Sequence, residues 1–143
     1  MESRIRAKSL AVIVRPADGA LLVTEGDSTT GGRFARPLGG SIEFGELAVD
    51  AVKREMHEEL GCELASAALL GVLENRFVLN GVPGHEIIFA FRCAPADASI
   101  YARDSIPVLD VPGLLATWWT PAEGPQLVPG GLAGLLGKPA TGG

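Results

Sequence analysis

Apolar and polar residues along this chain form a pattern that predicts several strands and one long helix. Two apolar runs, residues 10–14 and 21–23, flank an Asp-Gly pair, which is typical of a β-hairpin turn. Residues 24–36 are polar and contain glycine, so they predict a loop beside a site. Residues 46–60 lack glycine and proline and space their apolar members by three and four, which predicts a helix ending at Gly61.

The second half of the chain predicts shorter elements. Residues 69–73, 76–79 and 86–93 read as strands, with a turn at residues 80–84. A short strand is expected at residues 117–120, a C-terminal helix within residues 127–136, and a flexible tail at residues 138–143. Strands and helices mix without a strict alternation, so the expected fold class is α/β, with a mixed sheet covered by helices.

Composition and charge narrow the class of protein. A chain of 143 residues predicts a single domain over residues 1–143, and 47% apolar residues suit a globular core. The net charge of −5 argues against general nucleic-acid binding. The two cysteines, Cys62 and Cys93, form no disulfide framework, and no apolar run is long enough to cross a bilayer. We therefore expect a cytoplasmic protein with no membrane or nucleic-acid partner.

Three glutamates near the end of the predicted helix are the strongest chemical signal. Glu55, Glu58 and Glu59 stand at spacings that place all three carboxylates on one helix face. Like charges there repel each other, and the helix dipole disfavours them in a last turn. A divalent cation such as Mg²⁺ or Mn²⁺ would offset that repulsion through hard oxygen ligands. The alternative is a solvated acidic surface.

The segment at residues 40–62 resembles the signature of the Nudix hydrolases. That signature combines a glycine, a glutamate, an Arg-Glu pair, a Glu-Glu pair and a second glycine at defined spacings. Its positions here are Gly40, Glu46, Arg54, Glu55, Met56, His57, Glu58, Glu59, Leu60, Gly61 and Cys62. All seven invariant letters are present, and Cys62 takes an aliphatic position as a small apolar residue. The rest of the chain also looks like one Nudix domain, which implies an α/β/α sandwich with a mixed, curved sheet.

The resemblance implies roles for the glutamates. Glu55 and Glu59 correspond to the principal ligands of Mg²⁺, with Mn²⁺ as the other candidate. Glu58 is a further ligand or positions water, and the carbonyl of Gly40 is a backbone ligand. The three glutamates are thereby the expected catalytic residues, and the general base stays unassigned among them.

Other residues have supporting or substrate-binding interpretations. In the family, the counterparts of Glu46 and Arg54 pair and brace the loop against the helix. Outside the signature, each charged candidate for substrate binding also has a plain surface interpretation. Those substrate-binding candidates are Arg36, Arg76, His85 and Glu86.

The resemblance implies a Mg²⁺-dependent pyrophosphohydrolase that cleaves a diphosphate bond in a small nucleotide. A nucleotide sugar such as ADP-ribose and a nucleoside triphosphate are both compatible with the sequence. The alternative is a non-catalytic Nudix domain that binds a nucleotide and regulates a partner protein. A homodimer is compatible as well, since many members of the family dimerise.

Overall fold

The computed structural model describes residues 3–29 and 32–137. Within these ranges it contains nine strands, two α-helices and one 3-10 helix. In chain order they are β1 (Arg6–Ile13), β2 (Leu21–Ser28), β3 (Gly32–Pro37), β4 (Gly39–Ser41), α1 (Ala48–Leu60), β5 (Leu64–Leu79), β6 (Val82–Pro95), the 3-10 helix (Ala98–Ala102), β7 (Ser105–Pro107), β8 (Leu115–Trp119), β9 (Gln126–Leu127) and α2 (Leu132–Leu136). None of the described helices is long and apolar enough to span a membrane.

The strands form two mixed sheets. The four-stranded sheet has the order β4-β1-β6-β5, and the five-stranded sheet has the order β7-β8-β2-β3-β9. In the first, β1 runs parallel to β6 from the pair Arg6–Glu86 to the pair Ile13–Cys93, and antiparallel to β4. In the second, β3 and β9 are parallel while the other pairs are antiparallel. The predicted α/β class with mixed sheets is confirmed, and the strands divide between two sheets.

Strand β1 is buried on both faces because its alternate residues enter different apolar clusters. Ala11 and Ile13 pack with Val52 and Met56 of α1 in one cluster. Val12 lies in the other, which includes Leu132 of α2. Since successive side chains of a strand point to opposite faces, such a central strand needs apolar residues at every position. The continuous apolar run at residues 10–14 has this physical origin.

The predicted hairpin between the first two apolar runs is wrong. The turn exists, with Arg15 N–H donating to Ala20 O over 2.8 Å, but only the isolated bridge Val14–Leu21 joins the two runs. β1 and β2 then enter different sheets, because β1 pairs with β6 over eight residues. The predicted loop at residues 24–36 is also wrong. β2 and β3 pair across most of that range as an antiparallel hairpin.

Two predicted strands prove to be one, since β5 continues unbroken through residues 74–75. The predicted turn at residues 80–84 is limited to Asn80 and Gly81, which both have positive φ and close a two-residue hairpin. The C-terminal helix is confined to α2. Helix α1 matches its prediction, and Gly61 ends it in the left-handed conformation with φ of 63°. The predicted tail at residues 138–143 lies outside the described residues.

Candidate active site

Two glycines of β4, the strand that precedes α1, have no room for a side chain. A Cβ on Gly39 would overlap the carbonyl oxygen of Ser9, and a Cβ on Gly40 would overlap the carboxyl group of Glu55. Strand β4 pairs with β1 at these positions, with Gly40 opposite Ser9. The glycines thus let the backbone lie directly against a carboxylate of the helix.

Arg54 organises the entrance loop and two of the three helix carboxylates. Its Nε and Nη2 donate to the two carboxyl oxygens of Glu46 over 2.9 and 3.0 Å. Nη2 also donates to Ser41 O at 3.0 Å, and Nη1 donates to Glu55 Oε1 at 3.0 Å and Glu58 Oε2 at 3.3 Å. Hydrogen bonding to Arg54 lowers the pKa of Glu46 to about 2. The geometry is the bidentate pair expected of a brace between loop and helix.

The Glu59 carboxylate accepts a hydrogen bond from the backbone of Gly39, but one of its two oxygens is buried without a partner. Its Oε2 has no hydrogen-bond partner in the described part of the chain. Burial, followed by the negative charges of Glu55 and Asp110, raises the pKa of Glu59 to about 8. Burial likewise raises the pKa of Glu55, although Arg54 opposes the effect. The negative charges of Glu55 and Glu59 therefore repel each other.

Asp110 is a member of this acidic group that the sequence analysis missed. It lies in the segment between β7 and β8, and Leu109 N–H donates to Glu59 O over 2.7 Å, which ties that segment to the helix end. Asp110 contributes to the raised pKa values of both Glu55 and Glu59. A lone aspartate between Leu109 and Val111 carries no motif, so only the fold identifies it.

A cavity of about 240 Å³ opens beside Glu59 and carries basic residues on its lining. Lys8 and Arg36 line it together with Glu59, Gly39 and Gly40. Burial lowers the pKa of Lys8. The sequence analysis did not select Lys8, whose place on β1 gave no signal. The cavity combines a carboxylate edge with a cationic edge, which suits an anionic ligand held through a metal ion.

The predicted substrate residues Arg36 and Glu86 contact each other. Arg36 Nη2 donates to Glu86 Oε1 at 2.9 Å, and only 5% of Glu86 is exposed. Glu86 is therefore a buried partner of an arginine, and its carboxylate does not line the cavity beside Glu59. This burial differs from the plain surface interpretation of Glu86.

Arg76 and His85 are placed away from the acidic group. They stand opposite each other on β5 and β6, and neither lines the cavity beside Glu59. Side chains alternate along a strand, so His85 lies on the opposite sheet face from its neighbour Glu86. Its Nε2 approaches Glu74 Oε2 at 3.7 Å. Both residues instead line the wider groove between residues 3–8 and the tip of the β5–β6 hairpin, together with Lys8 and Glu86.

Among residues 3–29 and 32–137, no three His, Cys, Asp or Glu side chains are close enough to form a ready-made metal site. Glu58 is 46% exposed at its side chain and contacts Arg54, while Glu59 turns into the cavity. The three predicted carboxylate ligands therefore differ in their surroundings: the charges of Glu55 and Glu59 act on each other, while the more exposed Glu58 contacts Arg54.

Comparison with known proteins identifies the class. The sequence model of the NUDIX domain family matches residues 5–130, and the chain belongs to this family. A crystal structure of a MutT NUDIX hydrolase from Burkholderia pseudomallei superposes with a TM-score of 0.68 at 25% identity, covering 94% of this chain and 98% of that one. A MutT protein from Bacillus halodurans, at 20% identity and a TM-score of 0.55, shares the fold over 82% of this chain and 70% of that one.

A curated relative is the human protein named 8-oxo-dGDP phosphatase NUDT18, which is 31% identical over 84% of this chain. The match spans 42% of the length of that relative. Together with the structural neighbours, it shows that the chain carries a Nudix hydrolase domain.

Proposed function

We propose that this domain is a divalent-metal-dependent pyrophosphohydrolase, in which water attacks a phosphorus of a nucleotide diphosphate bond. The observation that carries the proposal is the buried, unpaired carboxylate oxygen of Glu59 beside Glu55 and Asp110. Leaving such a group uncompensated costs stability, and a bound cation is the direct remedy. The family relationship supports the same chemistry.

The residues present fit a hard divalent cation such as Mg²⁺ or Mn²⁺. Glu55 and Glu59 supply carboxylate oxygens, and Gly40 brings a backbone segment against Glu55 without a side chain. Such a donor set, completed by water, suits either ion. Glu58 would join by releasing its exposed contact with Arg54. When bound, the metal neutralises phosphate charge and acidifies water.

The protein residues would then bind and orient the substrate. Lys8 and Arg36 would draw phosphate oxygens to the cationic edge of the cavity. Arg54 would hold Glu55 at a defined place through the hydrogen bond of 3.0 Å while its pairing with Glu46 keeps the loop closed. Burial and the neighbouring carboxylates raise the pKa of Glu59 to about 8, so a bound cation would keep this carboxylate ionised as a ligand at neutral pH.

We propose a purine nucleoside diphosphate or triphosphate as the substrate class to test first. Support comes from the relative whose name specifies 8-oxo-dGDP. A nucleotide sugar such as ADP-ribose is the competing class. The cavity beside Glu59 is large enough for phosphates alone, so the base or sugar would extend into the wider groove between residues 3–8 and the tip of the β5–β6 hairpin.

The test is a hydrolysis assay with Mg²⁺ over a panel containing 8-oxo-dGDP, nucleoside triphosphates and ADP-ribose in heavy-oxygen water. Wild type, Glu59→Gln and the exposed control Glu123→Gln are compared, with products identified by mass spectrometry. We expect wild type and the control to cleave one class and Glu59→Gln to be at least about a hundredfold slower.

The labelled product identifies the attacked phosphorus. Equal turnover by Glu59→Gln would refute the proposed role of Glu59. Binding without turnover by wild type, seen as a nucleotide-dependent rise in melting temperature, would instead establish a nucleotide-sensing domain.

A further inference from the structure

Strand β5 forms an open edge of the four-stranded sheet. It is 16 residues long, and in the described ranges it pairs with β6 alone. From Gly71 to the turn at Asn80 and Gly81, its register with β6 has no irregularity. A regular strand edge of this length presents backbone donors and acceptors to any strand that can lie beside it.

The hairpin turn determines which backbone groups point outward. Leu79 and Val82 flank the two-residue turn, and in such a hairpin the flanking residues form a hydrogen-bonded pair. Because hydrogen-bonded and non-hydrogen-bonded pairs alternate along an antiparallel ladder, the odd-numbered residues 73–79 direct their N–H and C=O groups to β6. The even-numbered residues, Val72, Glu74, Arg76 and Val78, therefore direct theirs to the open edge. A second antiparallel strand can hydrogen-bond to these outward groups of another β5 only in a register that places even-numbered residues opposite even-numbered residues.

The same four residues carry exposed side chains on one sheet face. Val72 is 49% exposed, Val78 is 68% exposed, and the side chain of Glu74 is 73% exposed. Helix α2 approaches the strand on the other face, where Leu135 and Gly131 contact Gly71 and Leu73. The face bearing the even-numbered residues is left open along this part of the strand.

Residues 72–78 read Val-Leu-Glu-Asn-Arg-Phe-Val, a sequence that is complementary to itself in the antiparallel direction. We propose that two copies of this chain associate through their β5 edges around a two-fold axis at Asn75. Glu74 then lies opposite Arg76 of the second copy, and Val72 lies opposite Val78. By symmetry each contact occurs twice, and the open edge of β5 is paired in both copies of the closed dimer.

The charges select this register over its neighbours. Moving the axis to residue 74 or residue 76 preserves the backbone pairing but places Glu74 opposite Glu74, or Arg76 opposite Arg76. Like charges directly opposite destabilise a strand pair, and opposite charges stabilise it. In the single chain, Glu74 has a contact with His85 at 3.7 Å, which is long enough to be replaced readily.

Charge exchange tests the interface without using the catalytic residues. Multi-angle light scattering over a concentration series should give twice the chain mass of 14.8 kDa for wild type. Glu74→Arg and Arg76→Glu should each raise the dimer dissociation constant by about tenfold or more, because each creates two like-charge contacts. The double variant Glu74→Arg/Arg76→Glu should recover the dimer, since it restores complementary charges.

Glu123→Arg is the matched control, because it reverses an exposed charge in the turn after β8 and should remain dimeric. Unfolding midpoints in urea verify that every variant is folded. A monomeric wild type at the highest concentration, a dimeric Glu74→Arg, or a folded double variant that stays monomeric would each overturn the proposal. Glu74 lies outside the acidic group and outside the lining of both cavities, so loss of dimerisation in Glu74→Arg is separable from loss of hydrolysis.

Discussion

Replacing Glu59 with glutamine should stabilise the metal-free protein while abolishing its metal response. The carboxyl group has an ordinary pKa of 4.5 and a folded-state pKa of about 8, a difference of about 3.5 pH units. At about 1.4 kcal/mol per pH unit, the upper limit for the cost of the ionised group is about 5 kcal/mol. Partial exposure screens the charge, so we expect a gain of about 2 kcal/mol for Glu59→Gln.

The gain should depend on pH in a defined direction. Between pH 4.5 and about 8 the folded protein keeps a proton on Glu59 that the unfolded chain has released, so wild-type stability falls as pH rises through this window. Glutamine does not titrate. The advantage of the variant should therefore be small near pH 5, grow through the window, and become constant above about pH 8.

Urea unfolding with a chelator at pH 5.5, 7 and 9 measures the effect, with Glu123→Gln as the exposed control. Adding Mg²⁺ should stabilise wild type by about 3 kcal/mol at a hundredfold excess over its dissociation constant, and Glu59→Gln much less. An equal or lower stability of Glu59→Gln at pH 9 would refute the burial of an uncompensated carboxylate. An equal Mg²⁺ response of the two proteins would refute its role as a ligand.

Two further substitutions test the supports of the site. Arg54→Lys should lose the bidentate pair with Glu46, which we expect to lower both the urea unfolding midpoint and kcat. Unchanged values of both would contradict the bracing role. Gly40→Ala should displace Glu55 and reduce kcat by at least about tenfold. Gly134→Ala is its control, because open space surrounds Gly134 and alanine favours the helix, so activity should persist.

Local sequence was sufficient for features that depend on neighbouring residues. Helix α1 and its end at Gly61 followed from spacing and from the conformational freedom of glycine. The contact of Arg54 with Glu58 is likewise local, since residues four apart share a helix face. The assignment to a Nudix domain rested on one segment, residues 40–62, and the family comparison confirmed it.

The failures of prediction concern contacts between distant parts of the chain. The apolar runs of β1 and β2 matched a hairpin, yet β1 pairs in parallel with β6, about 80 residues later in the chain. The polar residues 24–36 suggested a loop, although two polar strands can pair as a hairpin as readily as apolar ones when a sheet supports them.

What the sequence determined by itself is the family, the acidic helix and the residue types available for metal and phosphate chemistry. Tertiary structure decided which charges from distant parts of the chain meet. It buried Glu86 against Arg36, brought Asp110 and Lys8 to the site, and left one carboxyl oxygen of Glu59 without a hydrogen-bond partner. The reason is physical: residue type sets the charge of a side chain, but burial and distance set its energy, and both depend on how the two sheets and α1 pack.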